Sequence, residues 1–223
     1  MSEVQEVKEL KPMTGSQSKV LRILAMVVSY LFHPVFMTTI MAIALYKLTP
    51  VSFAGADHTM VIKWIVMIGL YTAVYSLIFV ALLKGLGFIK SIHMDDPKDR
   101  IIPLIGIMIF YWWVQHVFKN LGTPFLLQVL LKGSFWGIVV LFMVSIFFKV
   151  SMHTAAAGGM LGILLVLMFT SPVNMAVPFF IALIIAGIIG TARMVLGAHR
   201  IWEIWIGYLL GIAVQVAAYF YLV

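Results

Sequence analysis

A chain of 223 residues that is 63% hydrophobic and 10% charged, with a mean hydropathy of +1.11, lies far from soluble domains, which carry roughly 45–50% apolar and about 25% charged residues. A soluble globular fold is excluded, and the absence of strand-like alternation argues against a membrane barrel, which leaves an all-α, polytopic transmembrane helix bundle of six to seven spans. With no cysteine there is no disulfide or thiolate metal centre, and the net charge of +7 rests on residues that mostly flank apolar runs, where basic side chains meet lipid headgroups and set topology rather than bind nucleic acid.

Residues 1–18 form a polar tail without the charged start and short apolar core of a cleavable signal peptide. One membrane domain, 19–223, is expected to follow. Its first span covers 20–48, with Pro34 as a kink, and its second covers 60–84 after a loop at 50–58. The most polar internal stretch then holds Lys90, His93, Asp95, Asp96, Lys98, Asp99 and Arg100. A third span is expected at about 102–119, a breaker-rich turn at 119–124, and a fourth span at 125–149, interrupted at Gly133. Ser151 and His153 precede a fifth span at 154–170; the sixth covers 175–196 and the seventh 201–222. Gly158, Gly159, Gly187 and Gly190 suit close helix packing. No internal repeat or second domain is visible.

Span parity places three polar spots, 90–101, 150–153 and 197–200, on the side that carries the tail. Ionisable groups at membrane depth cost about 2.5–3.5 kcal/mol each on insertion scales, so function is the usual reason to keep them. Lys98, Arg100 and Arg193 are cations suited to phosphate oxygens. His153 and His199 titrate near neutral pH, so one can attack a phosphorus centre while the other protonates the leaving alkoxide. Glu203 follows His199 by four residues, which puts both on one helix face and lets the carboxylate orient the imidazole. Ser151 and the first N–H groups of the fifth helix can take anionic oxygens. One acid and two histidines make a poor cage for a hard cation, so neither a metal nor another cofactor is expected.

These blocks resemble the type 2 phosphatidic acid phosphatase superfamily, whose pattern is Lys-x6-Arg-Pro, Pro-Ser-Gly-His and Ser-Arg-x5-His-x3-Asp. The chain offers Lys98-Asp-Arg100-Ile-Ile-Pro103, Val150-Ser151-Met152-His153 and Ala192-Arg193-x5-His199-x3-Glu203. The middle block, Lys149-x-Ser151-x-His153, is similar to a divergent bacterial branch. The resemblance implies that His199 forms a phosphohistidine, that Glu203 takes the place of the orienting Asp, and that His153 is the acid for the leaving group. Arg193, Arg100 and Ser151 would bind phosphate, with Lys98 as a further candidate. It also implies a metal-independent hydrolase of prenyl or glycerolipid phosphates or diphosphates in a bacterial cytoplasmic membrane.

The third block keeps the family spacing with changes at its edges, Ala192 for serine and Glu203 for Asp, and the other two blocks depart further. His93 occupies the position of the first-block lysine, Pro103 is displaced, and Met152 stands in place of glycine. A binder or transporter of phospholipids, or a lipid-dependent phosphotransferase, is the alternative. His33, His58 and His116 are expected to be interfacial or core residues, and Arg200 to snorkel. Eleven of the fifteen Lys and Arg fall on the tail side, leaving Lys47, Lys63, Lys119 and Lys132 on the other. The positive-inside rule turns that side to the cytoplasm, whereas bacterial members of the family commonly face outward.

Overall fold

Proline at position 34 does more than kink the first apolar run: it divides that run into two helices, α1 (Lys19–Leu31) and α2 (Pro34–Leu48), bent by 62° at the junction. The computed structural model describes residues 18–89 and 97–223, with Pro97 and Lys98 described by backbone alone. The remaining helices are α3 (His58–Gly69), α4 (Tyr75–Gly85), α5 (Ile101–Asn120), α6 (Phe125–Ser145), α7 (Met152–Thr170), α8 (Ala176–Val195) and α9 (Ile201–Leu222). A π-helical turn at Leu70–Val74 joins α3 and α4 into one 28-residue span. Among the described residues there is no strand, and six helices are long and apolar enough to cross a membrane, or seven if α1 and α2 form one broken span. The protein is therefore an all-α, polytopic membrane protein.

Exposed leucine, isoleucine, valine and phenylalanine cover the outside of the bundle, as expected where lipid is the solvent. Lipid tails are as apolar as leucine, so helix association relies on close packing and on polar ties. α7 lies at the centre, against α2, α6, α8 and α9. Its closest partner is α9, and small residues make the approach possible. A Cβ added at Gly211 would run into the Ala155 carbonyl, one at Gly207 into Thr154, and one at Gly158 into the Tyr208 backbone. Of the glycines expected to serve packing, Gly158 and Gly190 do so, whereas a Cβ at Gly159 or Gly187 would meet open space.

Polar ties cross the same interfaces. The Tyr208 hydroxyl donates to the Ala186 carbonyl, and the Gln215 side chain donates to the Val129 carbonyl at 3.0 Å. Such bonds average about 0.6 kcal/mol within membranes. Gln215 also explains Gly133. The fourth span is not interrupted there, because α6 runs straight through, and the missing Cβ makes room for the Gln215 amide. α6 does end earlier than expected, at Ser145, so Lys149 and Val150 lie in a non-helical link that leads into α7.

Candidate functional site

The ends of α5, α7, α8 and α9 meet at one place, and backbone groups hold them there. Arg100, just before α5, is buried and donates from Nη1 to the Val150 carbonyl at 3.1 Å. The Ser151 N–H donates to the Glu203 carbonyl at 3.4 Å. The first polar block is thereby tied to the second, and the second to the third. Ser151 caps α7: its Oγ accepts from the Thr154 N–H at 3.4 Å, as serine does at helix starts.

The spacing between Arg193 and His199 has a local cause. α8 ends in a Schellman turn in which Gly197, at φ +65°, donates to the Met194 carbonyl at 2.9 Å while Ala198 donates to the Arg193 carbonyl at 3.1 Å. The left-handed position favours glycine. The chain reverses there, and His199 stands two residues beyond the turn, just before α9. Glu203, in the first turn of α9, accepts from His199 Nδ1 at 2.7 Å, with the two side chains only 4% and 8% exposed. Nε2 of His199 makes no hydrogen bond among the described residues.

Burial first, then the Arg193, Lys149 and Arg100 cations, push His199 well below the ordinary histidine value, to about 3. His199 is thus a neutral imidazole, protonated on Nδ1 towards Glu203. A histidine whose folded pKa is lowered takes up its proton more readily when unfolded, so folding stability falls as pH drops below about 6.5. We expect thermal unfolding in detergent at pH 5 to occur below that at pH 7.5, and His199→Gln to narrow the difference. An unchanged difference would assign the acid sensitivity elsewhere.

His153, in the first turn of α7, does not point at Glu203. Its Nε2 lies 3.1 Å from the Ser29 carbonyl on α1. Arg193 Nη1 donates to the Ser29 hydroxyl at 3.3 Å. The His33 ring stands edge-on to His153, with centroids 5.3 Å apart and an interplanar angle of 84°. The structure therefore gathers His199, Glu203, His153, Arg193, Arg100 and Ser151, and adds Lys149, Ser29 and His33. His33, expected as an interfacial or core residue, is half-buried and packs against His153. The signal available was a His-Pro pair inside an apolar run, which marks a helix break with a polar cap. The side chain of Lys98, together with Lys90 and His93, lies outside the described residues. Among the described residues no group of three or more His, Asp or Glu is arranged to hold a metal ion.

Chemically, the cluster combines a neutral imidazole with a spare lone pair, cations suited to an anion, and a second imidazole held by a neutral acceptor. No family model matches the chain, and neither a curated protein nor a solved structure matches it.

Proposed function

We propose that this chain is an integral membrane phosphatase that hydrolyses a lipid phosphate or diphosphate through a phosphohistidine, as the resemblance to the type 2 phosphatidic acid phosphatase superfamily implies, and that it works in a bacterial cytoplasmic membrane. The observation that carries the reading is His199: Nδ1 is engaged by Glu203, and the ring is kept neutral by burial among Arg193, Lys149 and Arg100.

In the first step the Nε2 lone pair attacks phosphorus and the bond from phosphorus to the lipid oxygen breaks. His153, protonated on Nδ1 as the anionic phosphate binds, gives that proton to the departing alkoxide. Glu203 stabilises the positive charge that develops on His199, as a carboxylate does beside a catalytic imidazole. In the second step His153, now neutral, takes a proton from water as its oxygen attacks phosphorus. The N–P bond breaks, phosphate leaves, and both histidines return to their starting forms. Guanidinium groups spread over the phosphate oxygens lower the barrier for each transfer.

The test is phosphate release from a panel of prenyl, glycerolipid and lipid-A-type phosphates in detergent, by wild type and His199→Ala side by side. Binding without turnover across the panel would favour the alternative of a lipid-phosphate binder or transporter, for which Met152 in place of glycine is the specific observation. Transfer of phosphate to an added acceptor would favour a phosphotransferase. We expect Arg193→Lys to lower kcat/KM by about 10- to 100-fold, because a point charge replaces a forked donor and a charge-assisted hydrogen bond is worth about 1.5–3 kcal/mol. Steady-state kinetics on the best substrate of the panel measure it.

A further inference from the structure

Helix α1 stops at Leu31, and the last carbonyls of a helix lose their intrahelical partners. In an unbroken helix the Ser29 carbonyl would accept from the N–H of His33. Here the His33 N–H turns instead to the Tyr30 carbonyl at 3.4 Å, and the Ser29 carbonyl is met by His153 Nε2. Pro34 enforces the exchange. Inside a continuous helix it would lack the N–H for Tyr30 and its ring would clash with that carbonyl. At the first position of α2 it is well tolerated, and the His33 side chain caps that helix by accepting from the Val35 N–H at 3.4 Å.

A carbonyl only accepts. Nε2 of His153 therefore carries a proton, and Nδ1 is left as the nitrogen that exchanges one with the reaction. The edge-on His33 ring opposes rotation of the imidazole. We propose that the helix break at Pro34 is a positioning device for His153: it withdraws the Ser29 carbonyl from the ladder of α1 and assigns it to the imidazole, with His33 bracing the ring. The two histidines are then oriented independently, His199 by a carboxylate on Nδ1 and His153 by a neutral carbonyl on Nε2. This inference rests on the reading of His153 as the acid for the leaving group, and it adds a segment of chain, 29–34, that none of the three sequence blocks contains.

Leaving-group dependence separates this role from a structural one. A long-chain alkyl phosphate needs its departing oxygen protonated, whereas p-nitrophenyl phosphate has a good leaving group and needs that help far less. General acid catalysis contributes about 10²–10⁴-fold. In Pro34→Ala, which allows α1 to run on and reclaim the Ser29 carbonyl, kcat on the alkyl ester falls by at least about tenfold relative to kcat on the p-nitrophenyl ester. His33→Asn keeps a capping side chain on α2 and removes the ring; it shifts the ratio in the same direction by a smaller factor, and it decides the matter if Pro34→Ala does not fold. Ser29→Ala removes the hydroxyl that meets Arg193 and keeps the carbonyl, so it lowers both esters in equal proportion. Equal losses on the two esters in Pro34→Ala and His33→Asn, or no loss in either, would overturn the inference and leave the phosphatase reading intact. A wild-type protein inactive on both esters would overturn the phosphatase reading itself, and with it the role given to the break.

Discussion

His199→Ala is expected to lower phosphate release from lipid phosphates by at least about 10³-fold, the scale on which removal of a covalent nucleophile acts. No other imidazole can replace it, because His153 is turned towards Ser29 and lacks the carboxylate that Glu203 supplies to His199. The alanine variant also leaves a buried carboxylate without its donor, at a cost of about 1–3 kcal/mol, so a stability loss could be mistaken for a chemical one. His199→Gln separates the two. Its amide still donates to Glu203 but offers no nucleophile, so thermal unfolding stays close to wild type while turnover is lost. Full activity in either variant would remove His199 from the role of nucleophile.

The second large effect is mechanical. Gly211→Leu is expected to separate α7 from α9, because even a Cβ there would overlap the Ala155 carbonyl and crowd the backbone N of Gly159. Backbone atoms of a central helix cannot swing aside as a side-chain tip does, so the cost exceeds the ordinary overpacking range of about 1–3 kcal/mol. Activity is lost as well, since the Ser151 to Glu203 backbone bond depends on the same approach. Gly187→Leu is the control: nothing lies within 4 Å of a Cβ at that position, and its unfolding temperature should stay within a degree or two of wild type. Comparable losses in the two variants would mean that small residues on α9 are not what sets the helix spacing.

Much of the fold is legible in the sequence, since runs of apolar residues bounded by charges and breakers place the spans directly. Two residues hide more than their identity suggests. Gly133 looks like a breaker, yet it is a gap filled by Gln215 from a helix 82 positions later. Pro34 looks like a kink within one span, and its 62° bend separates two helices. The spacing of Arg193, His199 and Glu203 was readable because a helix end, a Schellman turn and one helical turn fix it locally. Ser29 was not readable, because an orphaned carbonyl leaves no trace in residue identity, and His33 left only the His-Pro pair as its sign.

The contacts that assemble the site join segments far apart along the chain. Arg193 meets Ser29 across 164 positions, His153 meets Ser29 across 124, and Arg100 meets Val150 across 50. Helical hairpins such as α5–α6 form from neighbours and can be complete while later helices are still being made. Long-range contacts come late because loop closure must precede them. The order of synthesis therefore delays assembly of the proposed site: His199 lies between the last two helices and Glu203 in the last, and α1 can close on Arg193 only after α8 has inserted. A nascent chain carries a nearly finished bundle before His199 meets Glu203, so the proposed hydrolysis should switch on abruptly with insertion of the final helix rather than grow in with the bundle.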